Sequence, residues 1–203
     1  ANFAPEKRRA ETKFHARWLI EHRFSVHFLP EGLLFEGQGD IITLRNAYLY
    51  GYGVRNNIEA MEYIRKIFHL QKKVFYLKLS GPKFYHLDMA MHYFRAKDTI
   101  AYCPEAFTSE ALKELSKVKV KKLEFYSDEV IQDLGNGRYN FLLNSSYIIS
   151  GNKYTEVLSW DINFSSLPPK LEKLLKGINY VTVNLSEFSL GGGGGRCLTL
   201  FLD

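Results

Sequence analysis

Apolar and polar positions alternate along this chain in blocks whose period switches repeatedly between the helical and the extended. In residues 5–23, Phe14, Trp18 and Leu19 fall at helical spacing among Lys, Arg and Glu, which predicts an amphipathic helix with Pro5 in its first turn. Residues 24–29 set Val26 and Phe28 against Ser25 and His27, the two-residue period of a strand, closed by Pro30 and Gly32. Residues 40–44 and 47–50 then read as a hairpin turning at Arg45 and Asn46. A helix capped by Asn56 or Asn57 follows, with Ile58, Met61, Ile64, Ile67 and Phe68 as its apolar stripe, and a strand over 74–79 ends at Gly81-Pro82.

The order strand, strand, helix, strand then returns. Strands are expected over 84–93 and 99–102, a helix over 109–118 capped by Thr108, and a strand over 123–126. A third round has strands over 139–143 and 146–149, a helix opened by Pro168-Pro169 and stopped by Gly177, and a strand over 180–185. Leu171, Leu174 and Leu175 supply that helix's apolar face. Residues 196–202 offer one more strand. Units of one kind without a regular sequence period predict a pseudo-symmetric α/β domain, residues 1–203, in which each unit is a blade. The last blade lacks a hairpin partner, which is expected to come from N-terminal sequence outside this chain.

Composition narrows the class. The 203 residues are 46% hydrophobic and 15% aromatic, enough for one core-forming domain and too apolar for a disordered chain. A net charge of +5 is a mild excess that needs no nucleic-acid partner. Two cysteines exclude a disulfide framework and fit a reducing compartment. With no apolar run of about eighteen residues and no signal-peptide core, the reading is cytoplasmic, without a membrane partner, and it leaves a homo-oligomer open.

Several residues carry candidate chemistry. Strict alternation over 84–90 puts His86 and Asp88 on one face and Leu87 and Met89 on the other, facing either a cavity or an exposed strand edge. Cys197 follows five glycines and Arg196 at the start of the last strand. It is either a nucleophile whose pKa is lowered by Arg196 or His86, or a small buried hydrophobe. Glu36 and Asp40 flank small residues where a strand begins, a spacing that aims both acids into one pocket but is also common in acidic turns. Arg55, at the start of a helix, is suited to a bidentate carboxylate or to plain solvation. The glycine run lacks the Lys-Ser/Thr pair of a phosphate loop, and His86, Asp88 and His92 lack a zinc-site spacing, so neither cofactor nor metal is expected. Residues 117–122 read as a solvated helix end rather than a nucleic-acid patch.

Four motifs in order resemble the guanidine-modifying, or pentein, superfamily. They are Phe35-Glu36-Gly37-Gln38-Gly39-Asp40, Gly51-Tyr52-Gly53-Val54-Arg55, Tyr85-His86-Leu87-Asp88 and Gly193-Gly194-Gly195-Arg196-Cys197-Leu198-Thr199-Leu200. Their forms look closest to arginine dihydrolase-like proteins, beside the deiminases and dimethylarginine dimethylaminohydrolases. The resemblance implies a five-bladed α/β propeller with its active site on the central axis, incomplete here because the usual N-terminal blade is absent. It also implies a cofactor-free hydrolase acting on arginine or a related guanidino compound. In that reading Cys197 attacks the guanidinium carbon and His86 shuttles protons. Asp40 and Asp88 clamp the guanidinium nitrogens, Glu36 orients His86 or substrate, and Arg8 and Arg55 hold the substrate carboxylate. Met89 and Gln38 depart from the family pattern. The alternatives are an amidinotransferase, a non-catalytic or truncated propeller-like binding protein, and an unrelated α/β module.

Overall fold

The computed structural model describes residues 1–53, 55–151, 153–163 and 165–200. After a 3-10 turn at Glu6–Arg8 and helix α1 (Glu11–Glu21), an irregular stretch leads to a second 3-10 turn, Gln38–Asp40, and the first β-β-α-β unit. Its elements are β1 (Ile41–Thr43), β2 (Ala47–Tyr52), α2 (Ile58–Ile67) and β3 (Lys73–Lys78). One helical turn, α3 (Leu87–Ala90), introduces the second unit: β4 (Met91–Phe94), β5 (Thr99–Tyr102), α4 (Ser109–Ser116) and β6 (Lys121–Glu124). A further turn, α5 (Ser127–Val130), opens onto the hairpin β7 (Ile131–Gly135) and β8 (Arg138–Phe141). The third unit is β9 (Ser146–Ser150), β10 (Lys153–Ser159), α6 (Pro169–Leu175) and β11 (Asn179–Val183), followed by α7 (Ser186–Ser189).

In all three units the first two strands pair antiparallel and the helix returns the chain to a third strand parallel to the second. A parallel pair needs such a crossover, so the helical period between second and third strands is what closes each unit. The helices form for the expected reasons. Thr108 accepts the Ala111 N–H at 3.3 Å as a side-chain cap of α4, and Gly177 takes φ +76° just past α6. The main core gathers Leu49, Leu77, Leu87, Ile100, Phe125 and Leu158 between the sheets, all essentially inaccessible to solvent.

Asn56 and Asn57 do not cap α2 with their side chains. Asn56 Oδ1 accepts the Glu36 N–H at 2.9 Å and Asn57 Oδ1 the Leu34 N–H at 3.1 Å, so both tie the strandless segment before Gln38 to the start of α2. Apart from one antiparallel bridge between Asn2 and Phe35 that segment has no ladder, and these amides supplement it.

Five expectations need correction. Residues 24–29 form no strand: their alternation has no partner to pair with, and Phe24 and Phe28 stay exposed. The N-terminal helix forms, but buries Ala16 while Phe14 and Trp18 face solvent. Residues 84–90 are not a strand; after an extended His86 the chain enters α3, whose four residues are all buried. The first amide of that turn, Leu87 N–H, is taken by Asp40 Oδ1 at 3.0 Å rather than by a neighbouring strand. Residues 139–143 begin no third unit but pair back onto β7 across a turn in which Asn136 and Gly137 adopt φ +53° and +76°. Finally, residues 195–198 are a turn where a strand was expected, and Phe201 and Leu202 lie outside the described residues, as does Val54 of the second motif.

Gly51 in β2 lies against α3, where a Cβ would stand 2.7 Å from Leu87 Cβ and 3.3 Å from Asp40 Oδ1. Gly51→Ala is expected to cost about 1–3 kcal/mol by overpacking. Thr108→Ala should cost about 1 kcal/mol through loss of the cap. Urea unfolding of both variants measures the difference.

Candidate active site

Each complete unit is preceded by a buried polar residue within three positions of its first strand. Asp40 stands before β1, Asp88 before β4 and Asn144 before β9. The pseudo-symmetry of the fold thus delivers three polar side chains to corresponding places, and the turn after α7 adds Cys197.

His86 is held at both ring nitrogens. Nδ1 contacts Asp40 Oδ2, and Nε2 lies 3.1 Å from Glu36 Oε2. Asp40 is fully buried, and its second oxygen accepts the Leu87 N–H at 3.0 Å, so both oxygens are already engaged within the protein. Glu36 accepts the Ala4 N–H at 3.0 Å and receives Arg55 at 3.2 Å. Burial opposes charge on His86, but the hydrogen bonds to Asp40 and then Glu36 outweigh it and raise the imidazole to about 10. Burial also works to raise the Glu36 carboxyl; the hydrogen bonds from His86 and the Ala4 amide prevail and hold it below its ordinary value.

Asp88 is the counterpart that lacks such support. It is buried, Oδ1 has no hydrogen-bond partner among the described residues, and Oδ2 lies 3.7 Å from Cys197 Sγ. Burial raises its carboxyl to about 7, against the pull of His86. Gly39 makes this packing feasible, since a Cβ there would stand 2.8 Å from Asp88 Oδ2.

Solvent reaches Cys197, yet the surrounding protein desolvates its sulfur. That desolvation first, and Asp88 second, raise the thiol to about 12. The lowered thiol expected from Arg196 or His86 is not found, because desolvation and Asp88 prevail, although Arg196 and Cys197 do act on each other electrostatically. Arg196 also extends toward Gln38, with contacts at 3.4 Å to its side chain and backbone.

Arg55 lies over the Tyr85 ring, 5.1 Å from its centroid, besides its contact with Glu36. Arg8 makes a bidentate pair with Glu11 at 2.9 Å, stacks on Phe3 and comes within 3.9 Å of Glu36. Glu36 therefore brings Arg8, Arg55 and His86 together, while Cys197 and Asp88 form the adjoining half. Sequence reasoning missed Asn144 and Ser159, which hold the cysteine turn. A signal existed: Asn144 stands just before a strand, as Asp40 does.

No protein-family model matches the chain. Among curated proteins, the N(G),N(G)-dimethylarginine dimethylaminohydrolase of Mycobacterium tuberculosis is 29% identical over 202 residues, covering 98% of this chain and 59% of that protein. The bifunctional arginine dihydrolase/ornithine cyclodeaminase AgrE of a Nostoc species is 27% identical over 206 residues, 98% of this chain and 26% of that one. The product-bound N-terminal domain of ArgZ, a cyanobacterial arginine dihydrolase, matches with TM-score 0.78 at 25% identity, over 98% of this chain and 68% of that one. The chain is homologous to guanidine-modifying enzymes. It spans about three-fifths of the length of the dimethylaminohydrolase and about a quarter of the bifunctional enzyme. The ArgZ domain has also been solved covalently bound to a reaction intermediate, a structure this chain matches with TM-score 0.77 at 26% identity.

The His86 contacts make a pH prediction. A folded-state pKa raised from 6.5 to about 10 gives stability that is complete below 6.5 and lost as pH rises through about 10. Asp40→Asn should move the imidazole titration, followed by NMR, to lower pH, and Glu36→Gln should move it less. An unchanged midpoint in Asp40→Asn would refute the assignment.

Proposed function

We propose that this chain hydrolyses the guanidinium group of arginine or a related guanidino compound through a covalent bond to Cys197, with arginine dihydrolase chemistry preferred to deiminase chemistry. The observation carrying this reading is a sulfur 3.7 Å from a buried carboxylate whose other oxygen is unpartnered, beside an imidazolium clasped by two more carboxylates. Such an arrangement suits a planar cation. The homology supports a propeller of five blades, to which the three β-β-α-β units and the β7-β8 hairpin contribute here.

Asp88 receives the guanidinium on its open oxygen. The arriving cation lies against both carboxylate and thiol, so it favours the anionic form of each; the thiol proton leaves to solvent. The thiolate adds to the guanidinium carbon, and the C–N bond to the departing amine breaks as His86 gives that nitrogen its proton. Water, deprotonated by the neutral His86, then adds to the same carbon, and the C–S bond breaks. With arginine, one round yields ammonia and citrulline. A second round yields ornithine, another ammonia and carbon dioxide, consuming two waters in all. Asp40 and Glu36 act through His86, fixing its ring and its charge. Arg55 and Arg8, near Glu36 at the rim, are placed to take the substrate carboxylate.

A second reading, a protein that binds a guanidino ligand without turnover, is favoured by the thiol held at about 12. The two diverge on one experiment. Incubation with L-arginine should give ornithine and ammonia, with turnover abolished in Cys197→Ala, and arginine should protect Cys197 from alkylation. Citrulline as sole product would move the assignment to deiminase. Binding without product would support the second reading.

A further inference from the structure

The cysteine turn is gripped by one side chain. Asn144 Oδ1 accepts the N–H groups of Gly194 at 2.9 Å and Cys197 at 3.2 Å, while its Nδ2 donates to Cys197 Sγ at 3.1 Å. Its backbone carbonyl accepts the Arg196 N–H at 3.1 Å and the Ser159 hydroxyl at 2.6 Å. Asn144 is wholly buried, and its orientation has one solution. Turning the amide over would set its NH2 against two N–H donors and leave only an acceptor facing the sulfur.

We propose that Asn144 is a positioning residue for the nucleophile, fixing the turn through the backbone and stabilising the thiolate by direct donation to sulfur. The inference rests on Cys197 being the nucleophile. Arg196 and Tyr85 face the sulfur electrostatically, and two side chains hydrogen-bond to it with opposite effect. Asp88 Oδ2, 3.7 Å away, disfavours negative charge on sulfur, and the Asn144 NH2, closer at 3.1 Å, favours it. Asn144 stands before β9 as Asp40 does before β1 and Asp88 before β4, and it alone of the three is an amide. A carboxylate there would put a second acid against the sulfur, so residue type as well as place matters to the thiolate. Ser159 completes the grip by accepting the Gly195 N–H at 2.6 Å, without a hydrogen bond to the sulfur.

The test is the iodoacetamide alkylation rate of Cys197 from pH 6 to 9, read on the Cys197 peptide by mass spectrometry so that Cys103 does not contribute. Asn144→Asp keeps the shape of the side chain and an acceptor for both backbone N–H groups while replacing the donor. Its profile should shift along the pH axis by about one unit, which is about tenfold slower alkylation at any one pH. Asn144→Ala should also be slower. Ser159→Ala loosens the turn without touching the donor, and should alkylate as fast as the parent or faster. A purely structural role predicts acceleration in all three variants by greater exposure, and that result, or an Asn144→Asp profile overlying the parent's, would overturn the proposal. Failure of arginine to protect the parent would instead count against the functional reading, leaving the Asn144 comparison intact.

Discussion

A protonated imidazole is tolerated in the interior only if negative charge meets it, and His86 is met on both sides. Much of the surrounding structure exists to bring those two carboxylates there. Glu36 lies on a segment paired only through the Asn2–Phe35 bridge and anchored by Asn56, Asn57 and the Ala4 amide. Asp40 comes from the turn that opens the first unit, and its second oxygen takes the first amide of α3. The N-terminal segment, the first unit and the passage to the second thus converge on a single ring. Loss of either acid would leave a buried charge short of a partner, a far greater cost than loss of a surface pair.

Beside that saturated group lies one that is deliberately short of partners. Asp88 keeps an open oxygen in a buried place, and the neighbouring thiol is held protonated. Groups fixed in advance need little rearrangement when a charged ligand arrives, which is the general means by which fixed dipoles and charges lower barriers. In the proposed reaction the ligand supplies the electrostatic condition for its own attack, and the resting thiol stays protonated and little reactive toward adventitious electrophiles.

The parts of the fold legible in the sequence are those governed by local periodicity. The stripe of α2 up to Ile67, the Thr108 cap of α4, the Pro168-Pro169 opening of α6 and the β1-β2 hairpin follow from spacing within a few residues, whereas Phe68, assigned to that stripe, lies past α2 and is exposed. What was illegible depends on distant partners. Residues 24–29 alternate like a strand but meet no ladder, and α3 adopts a helical turn because Asp40, 47 positions earlier, captures its first amide. The individual members of the site were readable from their motifs, His86, Glu36, Asp88 and Cys197 among them. Their division of labour was not: whether Asp40 would meet a ring or a ligand is decided by where its two oxygens end.

The glycines of residues 191–195 have the composition of a flexible linker, yet the last three are packed. A methyl group on Gly193 would strike Cys197, and one on Gly194 or Gly195 would strike Ser159. Their number matters as much as their smallness. The tract runs from one turn, with Gly192 at φ +90°, into the turn that carries Cys197, so adding or removing a glycine would shift the sulfur relative to the Asn144 amide. The tract acts as a ruler, and its length sets where the cysteine comes to rest.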